Sequence, residues 1–417
     1  MAALQGAGSL QGMHIALAAL FVFGILTLWV PAWWPVTVFQ VAAFAFAGIA
    51  LYRVPLRNGR GSETLFTWPL LPLCFAVLWG LFQLLSGRTF YGFATKTAIL
   101  HWATLLSVFL TGVIIFREEP LRRWFRSAML WFSFVVAAVA TLQTFTSGGK
   151  IFWIFPPEYP GFVMGPILYH THFAAFVEIV LPIALYKALR HRRGSLLYSV
   201  VTAVLFASVI ASASRAGTVL CAAEILVVSA LLWSRSGATR GALGLLLLRM
   251  AVLFFVFTAI VGWETVWARF WAPDPMALRR EFDISSLHMI AARPWCGFGL
   301  GTWPTAYPRY AIIDIGVFAN QAHSDWLQWT AEGGLPFGIA LLSLFAWCLR
   351  PAFRSVWGLG VVAVFLHAAV DYPFSRPAMG SWVMVTIAML AAWNQDHGRR
   401  AAPEPGEAHE DFPATKL

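Results

Sequence analysis

Apolar residues run through this chain in long blocks separated by short polar joints. A transmembrane helix needs about 20 mostly apolar residues. Twelve runs approach that length, at 13–30, 35–52, 66–86, 96–116, 127–146, 167–189, 195–212, 216–233, 244–262, 335–349, 356–370 and 378–394. The joints alternate in charge. One set carries Arg53, Arg57 and Arg60; Arg117, Arg122, Arg123 and Arg126; and Lys187, Arg190, Arg192 and Arg193. It continues with Arg235 and Arg240, Arg350 and Arg354, and Arg399 and Arg400. These seventeen Lys or Arg, against ten in the opposite set, put the first set in the cytoplasm by the positive-inside rule. Twelve spans with both termini inside satisfy the rule at every turn. The polar stretch 263–334, between spans nine and ten, is then outside, which in a Gram-negative cell is the periplasm. Residues 1–398 read as one polytopic inner-membrane domain, and 399–417 as a disordered cytoplasmic tail. The first apolar run lacks a basic leader and a small-residue cleavage site, so it reads as a retained helix.

Composition agrees. Hydrophobic residues make up 59% of the 417 and charged residues 12%, where a soluble domain carries about 25% charged residues. The net charge of +10 follows from the cytoplasmic joints and does not point to nucleic acid. Of four cysteines only Cys296 lies in the large loop, so neither a disulfide framework nor a CxxC metal site is expected.

Candidate chemistry collects outside. Arg215 sits in the tight turn Ser212-Ala213-Ser214-Arg215-Ala216-Gly217 at the start of span eight. It either reaches lipid headgroups or, aided by the helix N-terminus and by donors from Ser212 and Ser214, holds a phosphate. Arg279 and Arg280 open a stretch ending at Pro294. There Phe282, Leu287, Ile290 and Ala291 suggest the apolar face of a short helix lying on the membrane surface. Arg293 precedes a Gly297-x-Gly299-x-Gly301 turn, whose glycines would let backbone approach a ligand or headgroup. His323, in Asn320-Gln321-Ala322-His323-Ser324-Asp325, stands at a loop-to-helix junction, and an imidazole can take a proton near neutral pH. The outside loops hold no HxxxH or paired carboxylates, so no metal is expected. Ionisable residues inside spans (Glu178, Glu224, His101, His172, and His367 ahead of Asp371) keep a transporter or flippase reading open.

From Arg279 to Gly338 these motifs resemble the O-antigen ligase and O-antigen polymerase superfamily. The resemblance rests on Arg293-Pro294, the glycine turn, Ala322-His323-Ser324-Asp325-Trp326-Leu327-Gln328 and Ala331-Glu332-Gly333-Gly334-Leu335-Pro336-Phe337-Gly338, together with Ser214-Arg215-Ala216-Gly217 and His367-x-x-x-Asp371-Tyr372-Pro373. Ser324 stands where the family often has Asn. The resemblance implies an all-α, GT-C-like membrane fold and a glycan donor linked to undecaprenyl diphosphate. It implies that Arg215 and Arg280 grip the diphosphate, with Arg279, Arg293 and His172 as further candidates, and that His323 deprotonates the acceptor hydroxyl. Transfer would invert the anomeric centre without metal or cofactor. The acceptor would be lipid A–core for a ligase, which is the favoured branch, or a growing glycan for a polymerase.

Overall fold

The structure, a computed structural model, describes residues 2–53, 66–157, 164–190, 194–235, 240–271, 277–314, 316 and 318–401. It opens with nine helices: α1 (Ala2–Leu26), α2 (Trp34–Arg53), α3 (Leu70–Leu85), α4 (Gly92–Ile115), α5 (Glu119–Thr146), α6 (His170–Arg190), α7 (Ser195–Ala211), α8 (Arg215–Arg235) and α9 (Arg240–Val261). The polar stretch holds α10 (Glu264–Phe270), α11 (Ala277–Ala292) and α12 (Trp303–Ala306), and the chain closes with α13 (Asp325–Ser355), α14 (Leu359–His367) and α15 (Pro377–Ala401). Among the described residues the only β pairing is two isolated bridges. Helices suit so apolar a chain, because in lipid each backbone polar group must be satisfied within its own segment.

Six helices are long and apolar enough to cross a membrane by length and composition: α2, α4, α5, α6, α8 and α13. Shorter apolar helices cover Gly12–Leu26, Leu70–Leu85, Ser195–Ala211 and Leu247–Val261. Each of the twelve apolar runs thus contains a helix, but the run at 356–370 holds only the nine residues of α14. At 1.5 Å per residue that covers about 14 Å, under half of a ~30 Å hydrocarbon core. Protein encloses it on α6, α8 and α13, so its loose ends need not meet lipid. Gly360 allows the approach, since a Cβ there would lie 2.4 Å from the Glu178 carbonyl. α6 is the central helix, and 83% of its apolar window is buried; its apolar residues go all round for that reason.

α13 is broken at Gly334, whose φ of 76° and ψ of 176° lie outside any helix. The break separates the amphipathic Trp326–Glu332 segment from the tenth apolar run. The Leu335 N–H released there donates to the Pro294 carbonyl at 2.7 Å. At the other end of the chain, α15 continues to Ala401, past the boundary expected at 398; the rest of the tail lies outside the described residues.

On α11 the expected apolar face of Phe282, Leu287, Ile290 and Ala291 divides, with Phe282 buried and Leu287 and Ala291 exposed. Residues 282–331 build a small core of their own from Phe282, Met289, Phe298, Trp303, Tyr307 and Ala331. The buried face of α11 is therefore Glu281, Phe282, Ser285, Ser286 and Met289, while Leu287 is 52% exposed. Polar residues can face inward because partners await them. Glu281 accepts from the Tyr307 hydroxyl at 2.6 Å, the Ser285 hydroxyl at 2.8 Å and the Ile312 N–H at 3.1 Å. The Trp303 indole donates to Ser286 Oγ at 2.9 Å.

The glycine turn also departs from expectation: its close approach is to protein. A Cβ at Gly297 would stand 2.3 Å from the Glu332 carbonyl, and one at Gly299 2.3 Å from Thr89 Oγ1. Both residues have positive φ. The Gln83 amide of α3 donates to the carbonyls of Cys296 and Glu332 and accepts from the Leu300 N–H. The Glu332 carboxylate, almost fully buried, accepts from the N–H groups of Gly301 and Trp303. The turn thus clamps the polar loop to α3, α4 and the break in α13.

Candidate active site around His323

His323 is the residue on which α13 opens. It takes a left-handed backbone, φ +56°, a conformation that costs a non-glycine residue energy and persists only when its surroundings hold it. On its C-terminal side Ser324 caps α13 by accepting from the Leu327 N–H. Asn and Ser are both favoured caps, so the serine here performs the local task that asparagine would. The Asp325 N–H then donates to the carbonyls of Ala368 and Asp371, and its carboxylate accepts from the Phe374 N–H at 3.1 Å. These bonds fix the start of α13 over the segment that follows α14.

That segment delivers Asp371 beneath the imidazole. His323 Nδ1 is 3.8 Å from Asp371 Oδ1, and the carboxylate is 2% exposed against 35% for the imidazole. The separation suits an ion pair or a bridging water and is too long for a direct hydrogen bond. Burial would raise the Asp371 carboxyl, but His323, His172, His367 and Thr171 outweigh it and hold the group below the usual carboxylate range. Asp371 is therefore anionic at neutral pH. His172, from the start of α6, places Nε2 3.9 Å from the other carboxylate oxygen. Phe282 stacks on His323 with ring centroids 5.7 Å apart and planes 11° from parallel. Tyr372 meets the imidazole edge-on at 4.9 Å. Nδ1 faces Asp371, which leaves Nε2 for another partner.

The arginines divide. Arg279 lies close enough to Arg215 for their charges to oppose one another, and its charge also reaches Asp283 and His367. Burial raises the Asp283 carboxyl, opposed by the charges of Arg279 and His323. Among the described residues Arg279 makes no ion pair or side-chain hydrogen bond. Arg280, one position on and turned about 100° around the helix, is exposed. Arg293 stacks its guanidinium over Phe298 at 4.7 Å, on the glycine turn and not against His323. Ser212 and Ser214 are fully buried and taken up by the turn. The Ser212 hydroxyl donates to the Val209 carbonyl, and Ser214 Oγ accepts from the Gly217 N–H. Arg215 itself follows a turn in which Ala213, two residues before it, also has positive φ.

Deeper in the bundle, Glu178 Oε1 lies 2.7 Å from His367 Nδ1, and both side chains are fully buried. This joins α6 to α14 just below Asp371. Glu224 is also buried, on α8. Among the described residues no group of three or more His, Cys, Asp or Glu side chains is placed to hold a metal ion.

The sequence reading named His323 and Arg215 as candidates, and named Asp371 as an ionisable residue and, with Tyr372, as part of a motif. It placed Phe282 on an apolar helix face and Glu332 in a motif, and did not single out Glu281. Residues 199–342 match the family described as O-Antigen ligase. The matched stretch contains Arg215, Arg279, Arg280 and His323, and ends before Asp371. No curated protein matches the chain.

Proposed function

We propose, from the match of residues 199–342 to the family described as O-Antigen ligase, that the chain is a member of that superfamily and transfers a glycan from undecaprenyl diphosphate to an acceptor hydroxyl, lipid A–core for a ligase, at the periplasmic face of the inner membrane. The observation that carries this reading is the placement of His323 against the buried Asp371.

In the proposed step the acceptor oxygen attacks the anomeric carbon as the bond from that carbon to the diphosphate oxygen breaks. The bonding pair leaves with the diphosphate, and the acceptor proton passes to His323 Nε2. Asp371, facing Nδ1, orients the imidazole and stabilises the cation that forms, as a carboxylate behind a histidine base does elsewhere. Arg215 and Arg279 stabilise the charge that develops on the leaving group. Attack from the face opposite the diphosphate inverts the anomeric centre. A donor anchored by its lipid suits a site at the outer ends of membrane helices.

The test is transfer by purified protein in detergent from an undecaprenyl diphosphate glycan to purified lipid A–core. Product formed by the wild-type protein and lost in the His323→Ala variant is expected; no product with any acceptor would overturn the reading. A polymerase would instead lengthen the lipid-linked glycan, and lipopolysaccharide gels of a deletion strain would show single-repeat caps where loss of a ligase leaves no attached chain. Transport would leave the donor unchanged.

A further inference from the structure

Arg376 follows Tyr372 after the short 3-10 turn Pro373–Ser375, and its charge reaches both Tyr372 and His172. It is exposed, and among the described residues its side chain makes no hydrogen bond or ion pair. It belongs to the outside set of joints, where basic residues are scarce.

Arg376 lines a cavity of about 230 Å³. The α1–α2 turn forms most of the wall, with Trp29, Pro31 and Trp33, and Leu168 and Pro377 close it. Trp29 is half-buried and stacks one face on Phe155 at 4.6 Å. Trp33 is 72% exposed. Aromatic walls with one uncompensated guanidinium suit a sugar ring bearing an anionic group. The rings offer flat apolar faces to the sugar, and the guanidinium offers paired N–H donors to a phosphate.

We propose that this cavity is the acceptor subsite and that it takes a phosphorylated saccharide. The inference rests on the proposed transfer. A transferase must hold two substrates on either side of its base. Arg215 and Arg279 lie on the α8 and α11 side, reached past Phe282, while Arg376 is reached past Tyr372. Tyr372, edge-on to His323 at 4.9 Å and to His172 at 4.7 Å, stands four residues before Arg376, and that short segment of chain links the base to the cavity that Arg376 lines. Arg376 is then a specificity-determining residue.

The test compares wild-type protein with Arg376→Ala and Trp33→Ala, both at exposed positions, using undecaprenyl diphosphate glycan and either purified lipid A–core or the same acceptor stripped by phosphatase. A lost charged hydrogen bond is worth about tenfold or more. The acceptor KM should therefore rise about tenfold in Arg376→Ala, with donor KM and kcat within about twofold, and rise also in Trp33→Ala. On the stripped acceptor, wild type and Arg376→Ala should be equal. An unchanged acceptor KM, or an equal rise on the stripped acceptor, overturns the proposal. So does a requirement for added phosphatidylglycerol that Arg376→Ala removes without changing acceptor KM, which would assign the cavity to a phospholipid headgroup. Direct binding of intact and stripped lipid A–core to wild type and Arg376→Ala is measured alongside. Phosphate-dependent binding lost in Arg376→Ala upholds the subsite even if no transfer occurs, whereas binding unaffected by both changes overturns it while leaving transfer standing.

Discussion

His323 Nδ1 stands 3.8 Å from Asp371 Oδ1 across the junction of α13 with the segment after α14, and backbone bonds from Asp325 to Ala368 and Asp371 fix that spacing. If the two side chains act as one unit, removing either should cost about as much as removing both. General-base assistance is typically worth about 10²–10⁴-fold. His323→Ala and His323→Gln should each lower kcat within that range, because glutamine hydrogen-bonds but cannot take the proton. Asp371→Asn should lower kcat by about 10²-fold or more, and the double variant should be no slower than the slower single one. Additive losses would separate the pair.

The arginines give a second expectation. Arg279, near Arg215 and without an ion pair among the described residues, should matter more than the exposed Arg280. Arg279→Ala and Arg215→Ala should lower kcat/KM for the donor by about tenfold or more each, the range of a charge-assisted hydrogen bond, while Arg280→Ala should change it less. Lysine should rescue poorly at both sites, since a point charge does not reproduce a bidentate fork. A larger loss in Arg280→Ala than in Arg279→Ala would assign the diphosphate contact to Arg280, as the sequence-based expectation has it.

Much of this was legible in the chain itself, and the exceptions share a cause. Apolar run length located a helix in each of the twelve runs but not α10 or α12 in the polar stretch, and the tenth run, expected to begin at 335, starts next to the break that Gly334 makes in α13. The choice between Arg279 and Arg280 depends on how α11 is rotated, and that is fixed by packing of Phe282 and Met289 against Trp303 and Tyr307. The glycine turn was read as a ligand cradle because a sequence shows that backbone comes close to something, without showing that the neighbour is Glu332. Asp371 lies forty-eight positions from His323 in sequence, and only tertiary structure joins them.

Orientation follows from the alternating basic joints. With Cys296 replaced by Ser, a cysteine placed at the exposed Asp314 should react with an impermeant maleimide in intact spheroplasts. One placed at the exposed Arg354 should react only after lysis. The reverse pattern would invert the topology and remove the site from the periplasm.

Glu281 is where the fold of the polar loop and the geometry of the site meet. Its Oε1 accepts from Ser285 and from the Ile312 N–H, and its Oε2 from the Tyr307 hydroxyl. Glutamine can keep this arrangement. Its carbonyl oxygen would serve Ser285 and Ile312, and its amide would donate to Tyr307, whose hydroxyl can reverse its role. Leucine would leave the two buried hydroxyls of Ser285 and Tyr307 unpartnered, at about 1–3 kcal/mol each, and release the part-buried Ile312 N–H. Glu281→Gln should therefore keep Tm and turnover close to wild type. Glu281→Leu should lower Tm in detergent and also lower kcat, because the neighbouring Phe282 would no longer hold the face of the His323 imidazole. Measuring both by thermal unfolding and transfer rate decides the matter: an inactive but stable Glu281→Gln would mean that the carboxylate itself takes part in the chemistry.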